Sequence, residues 1–276
     1  MIYINNVPIE NATFPDKTSF IRFNPSTTCE KDKSVKITWL YDNDSELFRI
    51  ICLTKHLKSH GFKHINLIMP YVPNARMDRV KSWEDVFTLK YFADIINDLE
   101  FEKVTVFDPH SNVCTALINN IEVRMPQDTT LNTILHHYVD IQHLMLFFPD
   151  EGAMKRYSDL AKRYDLPYCF GIKHRDWKTG NIEGLDIAGP TNMIAGKTIL
   201  IIDDICSKGG TFYYSAKALK EYNATDIDLY VSHCENTIHN GELLKSDLIR
   251  HIYTTDSIYR NTDIPDKMTV LPINIY

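Results

Sequence analysis

No apolar run in the chain is long enough to span a bilayer, and its opening, MIYINNVPIE, has neither a basic segment nor an extended apolar core. Both absences point to a cytoplasmic protein with no membrane partner. Positive charge is also short: 30 Lys and Arg against 36 Asp and Glu leave a net charge of −6. That balance excludes a broad nucleic-acid-binding surface, while leaving room for a local basic cluster around a phosphorylated small molecule. There is no Cys-x-x-Cys pair. The cysteines, at 29, 52, 114, 169, 206 and 234, are scattered, which argues against a zinc site or a disulfide framework and for reduced, mostly buried thiols. No repeat is visible at the level of sequence.

What is present is a rhythm. With 276 residues, 44% of them hydrophobic, the chain has the apolar mass for one large or two ordinary domains. The short apolar runs INLIMPY (65–71), VTVFDPH (104–110), LMLFFPD (144–150), ILIIDD (199–204) and IDLYVSH (227–233) read as strands. Between them ELFRIICLTKHLKSHG, VFTLKYFADIINDLE, GAMKRYSDLAKRYD and TFYYSAKALKEYN read as helices, the last with Thr211 as N-cap and Asn223 near its C-cap. Alternation of this kind predicts an α/β protein built on mainly parallel sheets. Each strand-like run ends in polar, charged or aromatic side chains, and ligands of open α/β sheets sit at the carboxyl ends of strands. The boundary is expected near residue 130, giving domains 1–130 and 131–276, with the last strand packing on the first domain.

The stretch ILIIDDICSKGGTF (199–212) raises a physical question, because Asp203 and Asp204 are adjacent like charges at the end of a buried run. A sugar with a metal would satisfy them. Ser207, Lys208, Gly209, Gly210 and Thr211 follow, small enough for backbone N–H groups to converge on a phosphate at a helix start. An ordinary strand-to-helix turn with a capping aspartate reads the same residues without any ligand.

In context the stretch resembles the phosphoribosyl-diphosphate motif of type I phosphoribosyltransferase folds. Other segments resemble the ribose-phosphate pyrophosphokinases in particular: PYVPNARMDR (70–79) is similar to their PYxxYARQDR, FDPH to VDLH, PDEGAMKR to PDxGGxxR, GIKHR to DKRR, and YDNDSEL (41–47) to NDNLMEL. These matches run in family order from about residue 14 to the end of the chain. The resemblance implies two phosphoribosyltransferase-like domains, each a mainly parallel sheet flanked by helices. It also implies transfer of diphosphate from ATP, with Mg2+, to the anomeric hydroxyl of ribose 5-phosphate, in a homo-oligomer.

Residue by residue, the resemblance places ATP at Arg76, Met77 and Arg79, with Phe14 and Asp16 near the adenine. Met77 stands where the family has Gln. It places His110 and Asp150 at the metal and makes His110, Lys173 and Arg175 catalytic; Asp203, Asp204 and Ser207 to Thr211 bind the acceptor. Each position has a plainer reading: a surface ion pair of Arg76 or Arg79 with Asp78 or Glu84, a helix N-cap at Asp150, a solvated basic loop around Lys173 and Lys178. FGIKHRDWKTGNIEG, which contains Lys173 and Arg175, lacks periodicity and reads as a mobile loop.

The resemblance is incomplete. Family members have a β-α unit before the region matched by Phe14 and a helix after the last strand, whereas this chain starts later and ends at VLPINIY. The family's FSDGE loop, which reaches a neighbouring subunit's adenine, is only partly matched by FPDKT, so subunit sharing and allosteric control do not carry over. Most telling, the family's DDxxDTxGT is DDICSKGGT here, with Ser207 for an acid and Lys208 for a threonine. Two units of added positive charge suit an acceptor carrying more phosphate, and ADP-ribose, used by a divergent phage-associated branch, fits that description. A phosphoribosyltransferase consuming the activated sugar, or a silent regulatory homologue, would share the Asp203–Thr211 motif.

Overall fold

The computed structural model describes residues 1–175 and 182–273, the side chains of Asn11, of 173–175 and of 182–184 excepted. The chain divides into two compact units at Met125/Pro126.

In the first unit the strands and helices follow in the order β1 (Ile2–Ile4), β2 (Val7–Pro8), β3 (Glu10–Thr13), β4 (Ser19–Arg22), α1 (Pro25–Thr28), β5 (Val35–Trp39), α2 (Ser45–Ser59), β6 (Ile65–Ile68), α3 (Thr88–Asp98), β7 (Lys103–Phe107), α4 (Asn112–Leu117) and β8 (Ile121–Arg124). Six strands form one sheet in the order β2-β1-β5-β6-β7-β8. The run from β5 to β8 is parallel and β1 and β2 are antiparallel additions at one edge. The hairpin β3–β4 stands apart as a two-stranded sheet. α3 shows why these residues fold as they do. Leu89, Phe92, Ala93 and Ile96 recur at the spacing that puts them on one helical face, and all are buried. Removing such side chains from water stabilises the unit by about 1.5–3 kcal/mol for each large one.

The second unit contains α5 (Thr130–His136), β9 (Leu144–Phe148), α6 (Glu151–Tyr164), β10 (Tyr168–Arg175), β11 (Ile182–Ala188), β12 (Thr198–Cys206), α7 (Gly210–Glu221), β13 (Asp226–Cys234), β14 (His251–Thr255) and β15 (Met268–Leu271). Its seven-stranded sheet has the order β11-β10-β9-β12-β13-β14-β15. Every pairing is parallel except β10 with β11. The central strands are continuous apolar runs because both faces are covered; β9 is buried along its whole length. α6 has Asp150 as N-cap, Glu151 in its first turn, Lys162 and Arg163 in its last, and Asp165 in a left-handed C-cap, so sequence and helix dipole agree. At the amino end of β13, Arg250 grips Asp228 through Nε (3.0 Å) and Nη2 (2.5 Å), and Tyr138 donates to the same carboxylate at 2.7 Å. That end of the sheet is closed by ion pairing.

Both units are mainly parallel sheets with helices, the α/β class the rhythm predicts. The strand-like runs at 65–71, 104–110 and 144–150 end earlier than their apolar character, at Ile68, Phe107 and Phe148, while β12 and β13 extend to Cys206 and Cys234. The cysteines are free, five of them buried, and desolvation pushes the thiols of Cys114 and Cys169 up to about 12 and about 11. Among the described residues no helix is long and apolar enough to cross a membrane.

Two expectations need correction. Lys173 and Arg175 are not in an irregular loop: they lie on β10, in register with Leu185 and Ile182 of β11, with an irregularity between His174 and Arg175. Antiparallel pairing with a partner strand supplied by tertiary structure overrides the lack of local pattern. Lys178 and the rest of 176–181 lie outside the described residues. Thr211 is not the N-cap of α7. Gly209 is, at φ 80°, a left-handed conformation for which glycine carries no Cβ penalty, and Asn223 follows the C-cap Tyr222 at φ 62°.

Candidate active site

In the first unit the loop after β6 and the loop after β7 carry the expected residues. Asp78 is buried at 4% exposure and joins the two loops. Arg79 donates to it twice, Nε at 2.6 Å and Nη2 at 2.9 Å. The Arg79 hydrogen bond, a further one from Ser111 and the charges of Arg79 and His110 hold the Asp78 carboxyl below the usual carboxylate range despite its burial. The plainer reading of Arg79 as an ion-pair partner is therefore what the geometry displays. Its side chain is 63% exposed, so the guanidinium also faces outward. Arg76 and Met77 are exposed beside it, and Met77 N–H donates to the Asn74 carbonyl at 3.0 Å from a turn with Asn74 at φ 62°. His110 is half-buried, two residues past Asp108, which is fully buried in a left-handed conformation (φ 45°). Such a conformation in a non-glycine residue is costly and is found disproportionately at functional sites.

Phe14 and Asp16 sit on the turn of the β3–β4 hairpin. Asp16 accepts from the Thr18 N–H (3.0 Å) and hydroxyl (2.7 Å), and Phe14 packs edge-on against Phe20 at 5.5 Å. The Asp16 carboxyl organises the turn, while Phe14 remains 49% exposed.

In the second unit the acids gather at the carboxyl ends of β9 and β12. Asp204 is buried and paired with Arg156 of α6, Nη1 to Oδ1 at 3.0 Å. Asp203 is half-buried, and its Oδ1 accepts from the Asp204 N–H at 2.9 Å. Burial, then the charges of Asp204 and Asp150, drive its carboxyl well above the usual range. The adjacent aspartates therefore differ: Asp204 is paired with Arg156, while burial and acidic neighbours disfavour the charged form of Asp203. Asp150 caps α6 by accepting from the Ala153 N–H at 3.0 Å. The helix-cap reading is met, and the same carboxylate contributes to the field at Asp203. Ser207 is half-buried and Lys208 exposed on the turn that leads through Gly209 into Gly210 and Thr211. A Cβ on Gly210 would meet nothing, so the start of α7 is open on that side.

Among the described residues no three His, Cys, Asp or Glu side chains form a metal cage. Mg2+ does not need one: it binds through one or two carboxylates and completes its shell with phosphate and water. A hard cation beside Asp203 would relieve the repulsion that raises its carboxyl, so the oxygen donors fit that ion.

Residues 130–262 match the model of the phosphoribosyl transferase domain. The ribose-phosphate pyrophosphokinase of Agrobacterium fabrum is 27% identical over 270 residues, covering 94% of this chain and 83% of its own. That of Saccharolobus solfataricus is 25% identical, covering 96% and 88%. The chain is a homologue of the ribose-phosphate pyrophosphokinases. Its fold also superposes on the phosphoribosylpyrophosphate synthetase of Mycobacterium smegmatis with a TM-score of 0.77 at 20% identity, covering 96% of this chain and 86% of that one. The shared fold is two phosphoribosyltransferase-like units.

Arg156, within PDEGAMKR, is a site residue that local pattern does not flag: it pairs with Asp204, on a different element 48 residues away.

Proposed function

We propose that the protein transfers diphosphate from ATP to the anomeric hydroxyl of a 5-phosphoribosyl acceptor, releasing AMP. The observation that carries this is the gathering of Asp203, Asp204 and Asp150 at the strand ends, where burial and then the two neighbouring carboxylates raise the proton affinity of Asp203, beside a helix start at Gly209–Gly210. Such a site favours a polyhydroxylated, phosphorylated ligand bound together with a cation. Homology along nearly the whole chain to enzymes named ribose-phosphate pyrophosphokinase supports this over a transferase that merely consumes the activated sugar.

In this reading the first domain, about 1–130, binds ATP through Arg76 and Arg79, with Met77, Phe14 and Asp16 at the nucleotide. The second, about 131–276, holds the acceptor: Asp203 accepts from ribose hydroxyls, Arg156-paired Asp204 fixes the strand end, and the backbone of Ser207–Thr211 takes the 5-phosphate. The anomeric hydroxyl gives up its proton to solvent and its oxygen attacks the β-phosphorus of ATP as the bond from that phosphorus to the α-phosphate oxygen breaks, so AMP leaves with that oxygen. His110 at the nucleotide's phosphates and, separately, Asp150 beside the acceptor acids would each offer a ligand to Mg2+, which when bound would neutralise phosphate charge. Lys173 and Arg175 stabilise the charge that develops on the leaving AMP and on the transferred group.

Ser207 and Lys208 direct the choice of acceptor. An exposed ammonium and a hydroxyl on this turn favour ADP-ribose, whose 5-oxygen bears a diphosphate, over ribose 5-phosphate. The test is mass spectrometry of reactions containing ATP, Mg2+ and each acceptor side by side. AMP together with an acceptor carrying two added phosphates supports the proposal; neither product with either acceptor overturns it. S207D/K208T should move relative kcat/KM toward ribose 5-phosphate by about tenfold, the worth of one charge-assisted contact. Efficient use of ribose 5-phosphate and none of ADP-ribose by the unaltered protein would reject the second acceptor alone.

A further inference from the structure

The turn that is proposed to take the acceptor phosphate does not hold its own shape. Its support comes from a segment well removed in sequence, residues 235–243, which runs beneath it. The Glu235 N–H donates to the Cys206 carbonyl at 2.8 Å, just where β12 ends. A Cβ built on Gly241 would collide with the carbonyl oxygen of Lys208 and lie 2.9 Å from its carbonyl carbon. Leu243, 1% exposed, stands where a Cβ on Gly209 would be, 2.7 Å from its Cδ2 and 3.0 Å from its Cβ. The turn is thus gripped at Cys206, Lys208 and Gly209 in succession.

Gly241 has no backbone reason to be glycine. At φ −98° and ψ 179° it is in extended conformation that any residue adopts. What a side chain there would displace is the Lys208 peptide, which supplies the three atoms nearest to the built Cβ.

The segment is itself anchored on its far side. Asn236 accepts from the Arg260 N–H at 3.0 Å, and His239 Nε2 lies 2.8 Å from the Tyr259 hydroxyl and 3.0 Å from Asn261 Nδ2. The Lys267 ammonium donates to the carbonyls of Leu243 (3.0 Å) and Ser246 (2.7 Å). Desolvation lowers the Lys267 pKa, so its charge is held there by those carbonyls against a cost of burial. Ile238 and Leu243 are sunk in the core of the unit.

We propose that residues 235–243 are a strut that positions the acceptor turn, with Gly241 as a positioning residue and Lys267 as its remote anchor. This rests on the reading of Ser207–Thr211 as the sugar-phosphate turn. Phosphate recognition by backbone N–H groups depends on their convergence, so a shift of the Lys208 peptide loosens the acceptor while leaving the nucleotide's contacts in the first unit alone.

The test compares the full-length protein with G241A and K267M, measuring KM for ATP, KM for whichever of ribose 5-phosphate and ADP-ribose the unaltered protein turns over, ribose 5-phosphate binding by calorimetry, and Tm. G241A is expected to raise the acceptor KM by about tenfold and to weaken ribose 5-phosphate binding in parallel, with ATP KM within about twofold. K267M, which keeps an unbranched stem of nearly the same length but loses the donors, should raise acceptor KM by about threefold with the same selectivity. A purely structural role would lower Tm and leave the two KM values in their original ratio in both variants, and that result overturns the strut. Should G241A not fold, K267M alone decides by the same ratio. If the unaltered protein turns over neither acceptor and binds no ribose 5-phosphate, the functional reading fails and the strut falls with it; an active protein with unselective variants removes the strut only.

Discussion

Asp78 in the first unit and Asp203 in the second are carboxylates drawn out of bulk water in or just beyond the carboxyl ends of parallel strands, yet their surroundings move their protons in opposite directions. Asp78 meets Arg79, Ser111 and His110, and its carboxyl is held low. Asp203 is raised first by burial and then by Asp204 and Asp150, with no partner that outweighs the burial as Arg79 does at Asp78, and its carboxyl is held high. The fold is the same layered α/β arrangement in both units, so fold does not set the sign. The sign comes from which side chains the flanking loops and helices deliver. The first unit compensates its acid internally; the second leaves a charge demand suited to a cation and a sugar.

The sharpest way to break this comparison is to remove the compensation the second unit does possess. R156A leaves Asp204 buried at 5% side-chain exposure without its guanidinium. Breaking a buried pair from one side costs about 3–5 kcal/mol, so scanning calorimetry should show the largest loss of Tm of any substitution considered. A melt within a degree of the unaltered protein would mean that Asp204 is not held by this pair.

Next in size is the supply of positive charge from β10. K173A should lower kcat roughly a hundredfold, the worth of one donor aimed at developing charge, with ATP KM nearly unchanged. Equal turnover by steady-state assay would remove Lys173 from the reaction.

A smaller effect tests the sign itself. Because the folded-state pKa of Asp203 is raised, its protonated form favours the fold; that contribution is present below the ordinary aspartate pKa, about 4, and is lost as pH rises through the raised value. D203N removes the repulsion without changing shape, so Tm should rise at pH 8 by about 2–4 °C for each kcal/mol recovered, and should not rise at pH 4. Added Mg2+ should narrow the difference at pH 8 by stabilising only the unaltered protein. Asp78 predicts the reverse slope. Its lowered pKa contributes stability above the ordinary aspartate range that is lost as pH falls through the lowered value, so D78N should flatten the acid limb of the melting profile.

A smaller loss of Tm than in R156A is expected at Arg79. Its side chain is largely exposed and Asp78 keeps Ser111 and His110 beside it, so R79A should lower Tm less than R156A while raising ATP KM. A large Tm loss would recast Arg79 as a structural partner of Asp78.

Much of this was legible in the linear chain. Leu89, Phe92, Ala93 and Ile96 declare a helical face, the apolar runs of β9 and β12 declare buried parallel strands, and polar residues after each run mark the carboxyl edge. Other features were not. KHR carries no alternation that separates strand from loop, and β10 exists there because β11 pairs with it. Asp150 offered both a cap and a site acid, and it is a cap whose charge is still felt at Asp203.

By itself the sequence determined the class of fold, the order of its elements and the places where polar groups leave the sheets, because hydrophobic period and helix-end chemistry are local properties. Only tertiary structure decided which charges meet. Asp203 and Asp204 are neighbours with the same side chain, yet it is Asp204 that Arg156, 48 residues upstream, pairs with at 3.0 Å. Gly241 is indistinguishable in the sequence from a glycine in any turn. It matters because the Lys208 carbonyl fills the space of its missing Cβ, a contact made between residues 33 positions apart, and such contacts depend on packing that no local pattern encodes.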